Sequence, residues 1–382
     1  MKFITKYRQY CVSLIQLFLF IPFYRQGFIG SDWDSYGSYA SSYLIYTENI
    51  YLPSRSPGFP LFEYLISSLI SFQVRGALLV IFIFLVGVNL ITHKLFDDKN
   101  ENDFLYYALL LSPILLISSF SIIDYVVGLF FSLAAIYVVQ NLDKPEVPFL
   151  VLMLLSSATR LSNIIFFIAG IYILNKKDFG TKKLLLITLF YLFGLMFIYY
   201  SAFNLAGGLC FLNLTNTDHF LFQRIGRFIY KQTYLVGLPA LFGLIYILIK
   251  NRTKFEIKES NLPYILIFIL FEISFIRLPT EEGHMLPALF MFFLLLSQIK
   301  ISNQVQIYLL FSILISNFIY IDLIKVDVPN HAKNFEFSPS ISAGLLMGDY
   351  KERALKGSNA NYHIDNAINQ VIDSWSNGGP NC

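Results

Sequence analysis

The sequence predicts an all-α, polytopic membrane protein with about 11 transmembrane helices, external juxtamembrane helices in its first loop and a small external C-terminal tail. Three observations point there. Of 382 residues, 56% are hydrophobic and only 14% are charged, against roughly 25% charged in an ordinary soluble domain. Mean hydropathy is +0.59. Apolar runs of spanning length recur along the chain, and lysines and arginines collect in some of the loops between them. This composition excludes a disordered chain, a disulfide scaffold and a typical cytosolic enzyme. The net charge of +3, from 28 basic and 25 acidic residues, is too small a bias to suggest a nucleic-acid partner. Cys11, Cys210 and Cys382 show no metal-ligand spacing and read as inert thiols, with an external Cys210–Cys382 bridge as the lesser alternative.

A spanning helix needs about 20 mostly apolar residues. Such stretches lie near 10–28, 76–95, 104–121, 124–141, 182–203, 232–250, 261–277, 284–300 and 303–321. The first reads as a signal anchor, because no small-residue cleavage site follows it. The run 58–73 is short and carries Glu63. The run 147–174 is interrupted by Ala158-Thr159-Arg160-Leu161-Ser162-Asn163 and reads as two short helices meeting at a polar break.

Orientation follows from Lys and Arg in short loops. Lys2, Lys6 and Arg8 place the N-terminus in the cytoplasm. Lys176, Lys177, Lys182 and Lys183, then Lys250, Arg252, Lys254 and Lys258, then Lys300, mark further inner loops. Residues 29–57, 204–231, 277–284 and the tail then face the outside of a plasma (inner) membrane. An interfacial 58–73 is preferred to a spanning one, since it sets Asp124 and Arg160 at the outer face beside the first loop. A composition break near 322 divides a transmembrane body, 1–321 (with the external loop and its juxtamembrane helices at 29–75), from a tail, 322–382. Short helices are expected near 340–356 and 362–376, with Trp375 on an apolar face and the tail packed on the external loops.

The first external loop concentrates unusual chemistry. Tyr36, Tyr39, Ala40, Tyr43 and Tyr46 recur at helical spacing and predict a helix with an aromatic face along the membrane surface. Asp32 and Asp34 stand at its start, where one of them can serve as an N-cap. Arg55-Ser-Pro57-Gly58-Phe59-Pro60 forms a stiff turn with one cation, because proline fixes its backbone dihedral. Farther on, Arg160 interrupts an apolar run, where a charge costs at least about 2.5–3.5 kcal/mol and marks a functional candidate by default.

The order of these segments resembles the GT-C membrane glycosyltransferases, a superfamily that includes the protein O-mannosyltransferases and the lipid A aminoarabinose transferases. Asp32-Trp33-Asp34-Ser-Tyr36, then Arg55-Ser-Pro57-Gly58-Phe59-Pro60, look like its first-loop acidic residue and the basic, proline-rich stretch after it. Asp124, Ala158-Thr159-Arg160 and Leu278-Pro279-Thr280-Glu281-Glu282-Gly283-His284-Met285-Leu286-Pro287-Ala288-Leu289 look like a second external acidic residue, a lipid-phosphate cation and a late loop motif. The resemblance implies transfer of a sugar from a polyprenyl-phosphate donor to a hydroxyl of a glycan, lipid or protein acceptor, with inversion. Asp34 is the implied general base, with Asp32 second and Asp124 as a further acidic member. Arg160 and Arg55 would bind the donor phosphate; Arg224, Arg227, Glu281, Glu282 and His284 would line the rim. A divalent metal at Asp34, Glu282 and His284 is conceivable on ligand chemistry. No nucleotide cofactor is expected, as there is neither a Walker loop nor a GxGxxG motif. A lipid-linked-sugar flippase or a polysaccharide polymerase is the competing reading.

Overall fold

In a computed structural model, the residues described are 2–30, 33–55, 57–96, 102–205, 221–251, 258–277, 282–326, 335–344, 346 and 360–376. They are overwhelmingly helical. The helices of the first part are α1 (Lys2–Gln26), α2 (Trp33–Glu48), α3 (Pro60–Ser67), α4 (Gln73–Leu95), α5 (Asp103–Leu110) and α6 (Pro113–Phe120). Then come α7 (Tyr125–Asn141), α8 (Glu146–Thr159), α9 (Ile164–Lys176), α10 (Thr181–Ile198) and α11 (Tyr200–Leu205). The last part holds α12 (Leu221–Val236), α13 (Leu238–Lys250), α14 (Leu262–Arg277), α15 (Leu286–Ser297) and α16 (Asn303–Ser316). Strands β1 (Ile319–Val326) and β2 (Phe335–Ala343) and helix α17 (Ala360–Ser376) follow.

Among the described residues, three helical segments are long and apolar enough to cross a membrane: Ile70–Leu95, Thr181–Ile198 and Glu259–Ile276. The number rises to five if the bent pairs α5–α6 and α12–α13 each count as one span. This corrects the expected 11 crossings. The reason is local. Pro113 ends the run of α5, because the residue before a proline is pushed out of the helical region, and the two pieces bend by 44°. Gly237, with φ of 86°, separates α12 from α13. Residues 125–141, 146–159 and 303–316 form apolar helices that are individually short. α1 is diluted by the buried polar side chains of Arg8, Gln9 and Gln16. α3, with eight residues, rises only about 12 Å and cannot cross a hydrocarbon core of about 30 Å, so 58–73 supplies no crossing of its own.

The chain forms two compact units, each assembled from separate stretches. One contains 1–19, 92–117 and 217–352; the other contains 20–91, 118–216 and 353–382. This division cuts across the sequence boundary at 321/322, since β1 and β2 belong to the first unit and α17 to the second. In the first unit, Asn102 stitches three segments. Its amide donates to the carbonyls of Ser297 (3.1 Å) and Ile299 (2.8 Å), and its oxygen accepts from Gln306 (2.9 Å). β1 and β2 pair antiparallel, with Ile319 opposite Ala343 and Val326 opposite Phe335. The expected span to 321 therefore ends at Ser316. Residues 335–343 of the expected tail region form a strand, which runs into the start of the helix expected at 340–356. Isoleucine and valine dominate 319–326 and favour an extended backbone over a helix end.

In the second unit, α7 and α8 meet through small polar residues: Ser132 and Ser156 hydroxyls lie 2.6 Å apart, and Ser156 also donates to the Gly128 carbonyl. Small residues let apolar helices approach closely. A Cβ on Gly128 would stand 2.7 Å from the Asn163 amide nitrogen, so glycine is what allows α7 to reach the break between α8 and α9. Phe20 stacks on Phe82 at 4.6 Å, and Phe167 on Tyr191 at 3.8 Å. α17 packs on α2, burying Ala367, Val371 and Trp375 against Ala40, Leu44, Tyr199 and Ala202. Trp375 thus sits on the apolar face expected of it, and its indole N–H donates to the Pro53 carbonyl at 2.7 Å. Trp375→Ala should cost about 3–5 kcal/mol through lost apolar burial and the cavity left behind and release α17 from the first loop. Chemical denaturation and limited proteolysis of the 360–376 segment measure both effects.

Candidate functional site

The site lies wholly in the second unit, where three segments meet. The chain before α2 pairs with the chain before α7: the Ile122 amide donates to the Ile29 carbonyl at 2.6 Å. Two helix starts are thereby set side by side, bringing Asp34, in the first turn of α2, near Asp124, at the N-cap position of α7. A carboxylate in a first helical turn is favoured by the partial positive charge of the orphan amides there. The third segment carries Arg55 and Phe59, which reach Asp34 and Arg160 respectively.

Asp124 is at a helix N-cap but does not cap: its side chain makes no hydrogen bond to the helix backbone. It is fully buried and takes a two-pronged pair with Arg160, Nε to Oδ2 at 2.6 Å and Nη2 to Oδ1 at 2.8 Å. Asp124 is therefore not a solvated residue of the outer face. With both oxygens on a buried guanidinium, it is the counter-ion of Arg160 rather than a free proton acceptor. Arg160 leaves the helix at the end of α8, extended at φ −152° and ψ 116°, which swings its side chain out of the helical run. Its guanidinium lies 3.9 Å from the Tyr125 ring centre and 5.2 Å from that of Phe59.

Asp34 pairs with Arg55, Nη1 to Oδ2 at 2.6 Å. Arg55 also sits over Phe59, at 4.9 Å. The two ion pairs therefore share one aromatic ring, and Asp34, Arg55, Arg160 and Asp124 form one cluster. Exposure separates the four. The Arg55 side chain is 29% exposed and Asp34 10%, against 7% for Arg160 and 0% for Asp124. Arg55 is the most exposed of the four.

The loop that carries Arg55 is pinned on three sides. Ser41 of α2 donates to the Leu52 carbonyl at 2.6 Å, and Trp375 of α17 holds Pro53. Glu63 of α3, fully buried, accepts from the Ser54 amide (2.9 Å), the Tyr51 hydroxyl (2.8 Å) and the Phe59 amide (3.2 Å). Burial pushes the Glu63 carboxyl above its ordinary range, and these hydrogen bonds pull it back. Burial, then the Glu63 charge, drives the Tyr51 hydroxyl well above its ordinary value, so it stays a donor. Gly58 closes the turn at φ 90°, where a Cβ would lie 2.7 Å from the Tyr51 oxygen and 2.8 Å from Pro53.

The remaining expected residues are not brought to this cluster. Asp32 and Glu281 lie outside the described residues, as do the side chains of Arg227 and Glu282. Arg224 on α12 and His284 in a short 3₁₀ turn belong to the first unit. Among the described residues, no group of three His, Cys, Asp or Glu side chains is placed to hold a metal ion. A hollow of about 510 Å³ does open on the second unit, lined by Gln26, Tyr39, Tyr43, Arg75, Asp365 and Ile368 among others, but by none of the four charged residues. At about 100° per residue, Tyr39 and Tyr43 sit on the far side of α2 from Asp34. Sequence reasoning assigned no role to Phe59, Tyr125 and Glu63 at the site. For Glu63 a signal existed: an acidic residue inside an apolar run, the same anomaly that singled out Arg160.

No family model, no curated protein and no solved structure matches this chain. Its site therefore has to be read from its own chemistry. The buried pair is the first point to test. Asp124→Asn leaves the Arg160 charge uncompensated and should cost about 3–5 kcal/mol. Removing both charges in Asp124→Asn/Arg160→Gln should cost clearly less than the sum of the single changes, measured as a double-mutant cycle on thermal unfolding in detergent.

Proposed function

We propose that the protein is an integral-membrane glycosyltransferase of GT-C type that moves a sugar from a polyprenyl-phosphate donor to an acceptor hydroxyl on the external face. The observation that carries this reading is the grouping of a first-loop carboxylate with two guanidiniums around one ring: Asp34, Arg55 and Arg160 about Phe59. Apolar helices of spanning length fit a lipid-borne donor. The N-terminus is cytoplasmic and the tail external, as the basic loops argue.

In the proposed reaction the acceptor oxygen bonds to the anomeric carbon as the bond from that carbon to the phosphate oxygen breaks. The bonding pair leaves with the phosphate, and the acceptor proton passes to the Asp34 carboxylate. Net charge is conserved in the step. The two carboxylates and two guanidiniums sum to zero. The donor phosphodiester gains one negative charge on leaving, and Asp34 loses one on protonation. Arg55 then faces a neutral acid on one side and a more anionic phosphate on the other. Arginine suits that position because it stays charged and can present two parallel N–H donors to phosphate. Arg160, held by Asp124, supports the phosphate electrostatically from within.

The test is purified full-length protein with a panel of labelled polyprenyl-phosphate sugars. Transfer from at least one donor is expected. Asp34→Asn should lower turnover by about 10²–10⁴-fold while donor binding persists. Arg55→Ala should chiefly raise the donor KM. Absence of transfer from every donor, or an Asp34→Asn variant at the wild-type rate, overturns the proposal.

A further inference from the structure

We infer that Glu63 is the positioning residue of the phosphate cation: it fixes the 51–59 loop so that Arg55 and Phe59 arrive between Asp34 and Arg160. What Arg55 touches rests on the glycosyl-transfer reading; that Glu63 places it rests on geometry alone.

The described residues of the loop have no regular secondary structure to satisfy their backbone, and Pro53 and Pro57 contribute no N–H groups. Buried amides need partners. Glu63 supplies them on both flanks of Arg55, to Ser54 just before it and to Phe59 four residues after it, and takes the Tyr51 hydroxyl as well. One carboxylate thus stands in for the ladder a strand or helix would provide, and the segment it encloses carries the half-buried Arg55 guanidinium. The shape of the group matters. The bonds fall on both carboxylate oxygens, all of them acting as acceptors. A glutamine has one acceptor oxygen, and its NH₂ would face an N–H or a hydroxyl that also donates. Ser41 and Trp375 fasten the carbonyls of Leu52 and Pro53. With those contacts intact, loss of Glu63 frees the Arg55 half of the loop while the loop's attachment to α2 and α17 remains. A clamp that served stability alone would affect every property of the site alike. A positioning residue acts through Arg55, and its effect vanishes when Arg55 is gone.

The experiment compares wild type, Glu63→Gln, Arg55→Ala and the double variant, with polyprenyl phosphate as the probe in detergent micelles. Glu63→Gln should weaken binding about tenfold, and add no further loss in the Arg55→Ala background. Independent losses that multiply in the double variant, or an unchanged Glu63→Gln, overturn the inference. A second readout does not depend on the donor: phenylglyoxal modification mapped by mass spectrometry. Arg55 should react several-fold faster in Glu63→Gln, with Arg160 protected as in wild type, which also reports an intact fold. Equal Arg55 reactivity in the two proteins overturns the inference. Tyr51→Phe, which removes one of the bonds and keeps the carboxylate, should give a smaller change in the same direction. Wild-type protein that does not bind polyprenyl phosphate but shows the Arg55 labelling change would reject the glycosyltransferase reading and leave the role of Glu63 standing.

Discussion

A guanidinium enclosed by apolar helices is tolerable only when its charge is met, and the Asp124–Arg160 pair is where this chain meets it. The two bonds join the start of α7 to the point where α8 gives way to α9. Much of the second unit is arranged to let that happen. Gly128 lets α7 come close to the break, Asn163 reaches back to the Ser156 carbonyl, and the extended backbone at Arg160 turns the side chain toward Asp124. Phe59 and Tyr125 cover the pair. Desolvation makes such a pair a poor source of net stability, but breaking it leaves a buried charge alone, so it specifies one arrangement of the three helices against others.

The sequence displayed those parts of the fold that depend on local chemistry. The interruption at 158–163 was visible as polar residues inside an apolar run, and it is where α8 ends. The tyrosine spacing after Asp34 marked α2, and Trp375 marked the apolar face of α17. The helix lengths were less visible. A hydropathy window sums across Leu111-Ser112-Pro113 or Gly237 without registering that the backbone turns there, so runs of spanning length resolve into shorter helices. The strand at 319–326 was missed for a related reason: isoleucine serves a spanning helix and a strand equally well in composition.

At the site, residue types were legible and partnerships were not. Asp124 occupies an N-cap position, yet its carboxylate answers to a residue 36 positions away. Glu63 posed the same problem. An acid within 58–73 could have paired with an arginine or carried a proton, and only the folded loop shows that it serves backbone amides instead. Tertiary pairing of this kind leaves no periodic trace in a single sequence, since the groups that choose each other lie on different elements.

The two ion pairs around Phe59 differ in a way that bears on chemistry. Arg160 and Asp124 are sealed and doubly bonded, so exchanging either partner would expose a bare charge to an apolar surrounding. Arg55 and Asp34 sit at the solvent-reached edge of the cluster, where water can share the cost of separation. A site that must admit an anion and later release a more highly charged one needs one cation that holds its place and one whose partner can change. In the proposed transfer the inner pair would supply the fixed field and the outer pair the exchange. Protonation of Asp34 would then tip it, because it would remove the charge that holds Arg55 just as the phosphate acquired the charge that attracts it.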